Sequence, residues 1–138
     1  MTLPSLAGVS HLALSVSDLE LSVSWYVETL GFAVLFPFDT DDFARRILLH
    51  PSGVVVGLTQ HVAGVPGRFD PRVAGLDHVG FAVATVEELD AWAGWLSARG
   101  VAHAGVQVTP VTGSALVAFV DPDGIALELY VQTGMPTG

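Results

Sequence analysis

The second half of this chain repeats the first. Sliding the sequence until His11 falls on His78 also brings Asp18 onto Thr85 and Trp25 onto Trp92. Each half then reaches a glycine, Gly31 or Gly100. Near its end each carries a Pro-x-Gly turn, Pro51-Ser52-Gly53 or Pro122-Asp123-Gly124, followed by an apolar run. Duplication of one supersecondary unit is the simplest explanation.

Local signals assign the same elements to both copies. Val9 to Val16 and Asp77 to Val83 are short, apolar and β-branched, as strands are. Asp18 is placed to accept from the free N–H groups of a helical first turn, and Thr85-Val86-Glu87-Glu88 fits a capping box. Leu19, Val23, Tyr26, Val27 and Leu30 fall at helical spacing before Gly31, as do Leu89, Trp92, Ala93 and Leu96 before Gly100. Three strands follow in each half, near 32–38, 43–50 and 53–60, then 102–108, 114–121 and 124–131. The reading is a single domain of class α+β with two tandem βαβββ modules, 7–61 and 76–132, joined by a linker over 62–75.

Side chains alternate across a strand, so Leu12, Leu14 and Val16 share one face while His11, Ala13 and Ser15 share the other. Val79, Phe81 and Val83 stand opposite His78, Gly80 and Ala82 in the same way. The bulky faces are expected to meet the helices, leaving each histidine among small residues with room for a ligand. In the last strand Leu127, Leu129 and Val131 take the helix side, which sends Glu128 and Tyr130 to the open side.

Composition narrows the chemistry. The chain has 138 residues, 51% of them hydrophobic and 14% charged, enough for one packed domain and too apolar for disorder. No apolar run approaches the roughly 20 residues of a membrane span, and Met1 to Gly8 lacks a basic leader, so a cytoplasmic protein is expected. There is no cysteine, which leaves His and carboxylates as protein metal ligands. All five basic residues are arginine, so Schiff-base lysine chemistry is excluded. A formal charge of −9 argues against a nucleic-acid partner.

These motifs resemble the vicinal oxygen chelate superfamily, which includes glyoxalase I, extradiol dioxygenases, and fosfomycin- and bleomycin-resistance proteins. The likeness rests on Val9-Ser10-His11-Leu12, Asp77-His78-Val79, Leu30-Gly31-Phe32 and the run from Asp121 to Leu129. It implies eight strands curled around a cup, with the helices on the outer face. It also implies metal ligands at the first-strand histidines and at the last-strand acid, which transfer as His11, His78 and Glu128. Gly57 stands opposite Glu128 in the other module, so a fourth ligand is missing and glyoxalase I or epimerase activity is disfavoured. Two histidines and a carboxylate suit Fe(II) or Mn(II), with Ni(II) or Zn(II) also compatible.

Other residues are weighed against ordinary structural roles. His61 shares the parity of Gly57 but lies about 13 Å further along, which makes it a rim residue and a possible base. Tyr130 faces the open side, where its hydroxyl can meet substrate or a ligand carboxylate. Of Arg45 and Arg46, adjacent on a strand, one points to the open side and can bind an anionic group, although parity does not say which. Two functional readings follow: a metal-dependent enzyme of dioxygenase or lyase type, or a metal-free small-molecule sequestering protein of the bleomycin-resistance type. In either case the resemblance implies a homodimer, the cup being built within one chain or across two.

Overall fold

The computed structural model describes residues 1–132. The chain divides into two compact units, Met1–Pro66 and Gly67–Gly138, the division falling inside the 62–75 segment. Among the described residues there are eight strands and two helices, in two four-stranded mixed sheets.

The first unit contains β1 (Leu12–Ser15), α1 (Leu19–Leu30), β2 (Ala33–Pro37), β3 (Phe43–Leu49) and β4 (Val55–His61). Its sheet order is β1-β4-β3-β2, with β1 parallel to β4 and the other pairs antiparallel. Asp18 opens α1 by accepting from Leu21 N at 3.1 Å. Gly31 closes it in the left-handed conformation, φ 81°, which a glycine adopts without the Cβ penalty of other residues. The apolar face of α1 packs on the sheet, burying Leu19, Tyr26 and Leu30 with Leu14, Leu48, Val56 and Leu58. Each leucine so buried contributes roughly 1.5–3 kcal/mol. Two polar α1 residues, Ser22 and Thr29, are buried with them.

The second unit repeats the scheme with β5 (Val79–Ala82), α2 (Val86–Ala98), β6 (Gln107–Val108), β7 (Ala115–Val120) and β8 (Ala126–Val131), ordered β5-β8-β7-β6. Thr85 caps α2 by accepting from Glu88 N at 3.2 Å. Leu89 and Leu96 are fully buried against a sheet face made by Val79, Val117, Leu127 and Leu129.

Three strands are shorter than expected. Both opening strands begin one residue after their histidine, because the parallel partner provides pairing only from Leu12↔Val56 and Val79↔Leu127 onward. The strand expected over 102–108 shrinks to Gln107–Val108. Gly105 turns there with φ 80°, and its N–H donates to His103 Nδ1 at 3.0 Å, a local turn that competes with a ladder. No helix among the described residues is long and apolar enough to cross a membrane.

Candidate functional site

In the second unit, parallel pairing of β5 with β8 sets Gly80 beside Glu128 and Ala82 beside Tyr130. Leu127, Leu129 and Val131 are buried, while Glu128 and Tyr130 are half-buried on the opposite face. An added Cβ at Gly80 would meet nothing within 4 Å, so the space beside Glu128 is open.

His78 reaches into that space. Its Nε2 lies 3.5 Å from Glu128 Oε2, and its Nδ1 lies 2.6 Å from Asp77 Oδ1. Asp77 is an acceptor, so Nδ1–H donates to it and the Nε2 lone pair of the neutral ring is directed toward Glu128. Two ligand atoms each about 2.1 Å from one cation stand about 3–3.5 Å apart at tetrahedral or octahedral angles, so the pair fits a divalent metal. The Asp77 hydrogen bond, supported by the charge of Glu128, raises the His78 pKa above its ordinary value against the opposing effect of burial.

Two clefts meet at this pair. One, of ≈ 630 Å³, is lined by Asp77, His78, His103, Phe119 and Glu128 among others. The second, of ≈ 410 Å³, is lined by His78, Gly80, Ala82, Glu128, Tyr130 and Gln132. The hydroxyls of Ser114 and Thr112, and to a lesser degree Thr109, hydrogen-bond the Tyr130 phenol and hold its pKa below the ordinary value, against burial and, more weakly, the charge of Glu128.

The β8 register is fixed by the turn before it. Asp121 Oδ1 accepts from Asp123 N and Ile125 N, both at 2.9 Å, and Gly124 N donates to Asp121 O. Gly124 takes φ 79° with the Arg68 guanidinium against it, where a Cβ would come within 2.8 Å of Nη2.

The first unit holds His11, Arg45, Arg46 and His61. His11 is exposed just before β1, its Nδ1 3.0 Å from Ser10 Oγ. His61 ends β4 and packs edge-on against Phe43, ring centres 5.9 Å apart. Arg46 Nη1 donates to Asp39 Oδ1 at 2.7 Å. Arg45 lies on the other face, with Nε donating to Thr59 Oγ1 at 2.7 Å. His78 and Glu128 are thus brought together, with Tyr130 beside them. Among the described residues no group of three or more His, Asp or Glu is gathered where it can hold a metal ion.

Two residues given no role in the sequence reading, Asp77 and His103, line the first cleft with His78 and Glu128. The signal for Asp77 was its place directly before a ligand-type histidine, matched by Ser10 before His11. His103 follows the helix-ending Gly100 with no motif of its own. Ser97 Oγ, 2.8 Å from its Nε2, fixes it at the cleft wall.

Residues 8–129 match the family model of the Glyoxalase/Bleomycin resistance protein/Dioxygenase superfamily. The chain is 32% identical over 130 residues to the uncharacterized protein YwkD of Bacillus subtilis (strain 168), covering 92% of this chain and 98% of that one. A crystal structure of a glyoxylase/bleomycin resistance protein/dioxygenase domain from Frankia sp. EAN1pec matches with TM-score 0.85 and 35% identity, over 94% of this chain and 100% of that chain. The fold is also shared with a mutant of the fosfomycin resistance protein FosX from Listeria monocytogenes, complexed with Mn(II) and 1S,2S-dihydroxypropylphosphonic acid. There the TM-score is 0.72 at 18% identity, over 94% and 95% of the two chains. With the duplicated module, the open sheet face and the family match over most of its length, this chain belongs to the Glyoxalase/Bleomycin resistance protein/Dioxygenase superfamily.

Proposed function

We propose that the chain is a metal-dependent enzyme acting on a small substrate through vicinal oxygens. His78 and Glu128 are two of the ligands, and His11, from the same chain or a second copy, is the third. The reading rests on one observation: His78 Nε2 and Glu128 Oε2 stand 3.5 Å apart on an open face, with the other ring nitrogen held by Asp77. A divalent ion there, Fe(II) or Mn(II) before Ni(II) or Zn(II), would act as Lewis acid or redox centre in dioxygenase- or lyase-type chemistry. The structurally similar FosX mutant, complexed with Mn(II), is consistent with this choice. Tyr130, its phenol biased toward ionisation by neighbouring hydroxyls, is positioned in the second cleft to exchange a proton with a ligand there. His61, away from that cleft in the sequence frame, is assigned a rim contact.

A second reading keeps a cup that sequesters a ligand without metal. It is favoured by Gly57, which removes the fourth ligand position of the frame. Elemental mass spectrometry separates the two on protein made without a metal-affinity tag, then reconstituted anaerobically with Fe(II), Mn(II), Ni(II) and Zn(II). About one metal per chain, lost in His11→Ala, His78→Ala and Glu128→Ala variants that stay folded, supports the enzyme. No binding of any of the four metals turns the assignment to the sequestering protein. Sedimentation equilibrium on the same samples reads the expected homodimer, for which the exposed Val34, Leu35 and Phe36 of edge strand β2 offer a surface.

A further inference from the structure

Arg45 sits where the duplicated frame would otherwise place an acid. Gly57 is the β4 counterpart of Glu128. A Cβ added there would lie 3.5 Å from Arg45 Cδ, 3.5 Å from Ile47 Cδ1 and 3.8 Å from Ala13 Cβ. The place of the missing side chain is therefore already lined by the arginine stem.

The guanidinium is held on several sides. Nε donates to Thr59 Oγ1 at 2.7 Å, and Cζ lies 4.3 Å from the centre of the Phe43 ring and 5.8 Å from that of Phe38. Asp39, which faces this strand pair, is taken by Arg46 Nη1 at 2.7 Å and by the Arg45 backbone N–H at 3.0 Å. Among the described residues, the side chain of Arg45 makes no ion pair with a carboxylate. In a chain with 14 acidic residues and only 5 basic ones, Arg45 is a half-buried cation whose side chain is held by a hydroxyl and two rings rather than by a carboxylate. With Nε committed to Thr59, the two Nη groups remain as the paired donors that can bind a carboxylate or phosphonate through two parallel hydrogen bonds.

We infer that Arg45 is the anion-recognition residue of the open face of the first module, and that the ligand carries a carboxylate or phosphonate group. The inference rests on the proposal that this face binds a small substrate, and it narrows that substrate to an acid. It also sets a length. Arg45 pairs with Thr59 and Thr59 with Ser15, four positions beyond His11, or about 13 Å at strand rise. At that distance the acid group is several bonds removed from any oxygens held near His11. Gly57, with Ala13 and Ile47 beside it, lines the intervening part, while Phe43 and Phe38 flank the guanidinium at its far end.

The test is titration of metal-depleted, chelator-free protein with benzoate, phenylphosphonate and neutral benzamide, followed by the amide signals of Gly57 and Thr59 and the Nε–H signal of Arg45. Saturable shifts with at least one anion and none with benzamide are expected, and the tighter anion identifies the group. Arg45→Met weakens that binding by about tenfold or more, the ratio for loss of a charged hydrogen bond, while Arg46→Met leaves it within about twofold. Shifts with neither anion, or equal affinity in the Arg45→Met variant, overturn the inference. If Arg45→Met does not fold, Arg45→Lys decides: it keeps the charge but loses the fork, and unchanged affinity in it is equally fatal. Because no metal is present, binding of benzoate or phenylphosphonate through Arg45 by a protein that never takes up metal would refute the metal reading and leave this one standing.

Discussion

The two modules share a strand order and a core, and differ in the charge carried on the open face. The second places Glu128 beside an empty Gly80 and locks His78 with a carboxylate, Asp77. The first has Gly57 at the corresponding position, covers it with the stem of Arg45, and gives His11 only the hydroxyl of Ser10. Some buried positions correspond between the copies, Leu58 and Leu129 taking the same place after the Pro-x-Gly turns. Beside these matched apolar positions the other face carries an acid, Glu128, in one copy and a cation, Arg45, in the other.

The largest test of this asymmetry is Glu128→Ala, which is expected to abolish metal binding measured by elemental analysis. Gly57→Ala, at the corresponding place, leaves metal stoichiometry unchanged. The next effect concerns the residues behind the histidines. Asp77→Asn is expected to weaken metal affinity about 10- to 100-fold in competition with a chelating dye, and Ser10→Ala by much less. Equal losses would mean that the two histidines are supported alike and would break the comparison.

The raised His78 pKa has a sign that can be checked. In metal-free protein the protonated ring is favoured by folding, so its stabilisation is fully present below the unfolded value of about 6.5 and is lost as pH rises through the higher folded value. Metal competes with that proton, so affinity falls as pH drops through the same range. Imidazole titration by NMR should place His78 above 6.5 and return it toward that value in Asp77→Asn. The smallest effect is on stability. The Cβ of Gly57→Ala enters ordinary contact at 3.5 Å and restricts the unfolded chain, so thermal unfolding should shift by less than about 1 kcal/mol.

How much of this was legible before the structure follows from the range of the signals. Caps and alternation are local, and they placed α1, α2 and the face of β8 that carries Glu128. The short β6 was misjudged because the conformation of Gly105 and its bond to His103 are invisible to hydrophobic pattern. Parity could say that Arg45 and Arg46 diverge but not which faces the ligand side. That choice belongs to cross-strand register, Arg45↔Thr59, and to Asp39 capturing Arg46. The role of Asp77 depended on one rotamer, which no spacing encodes.

The turn held by Asp121 reaches further than its own four residues. Strand side chains alternate with a period of two, so a slip of β8 by one residue would bury Glu128 and turn Leu127 or Leu129 outward. The two backbone N–H groups bound by Asp121 prevent that slip. If the proposed site holds, an Asp121→Ala protein keeps His78 and Glu128 in its sequence and still loses the metal, with a mispaired hairpin as the cause: the site depends on a residue that pins alignment and touches no ligand.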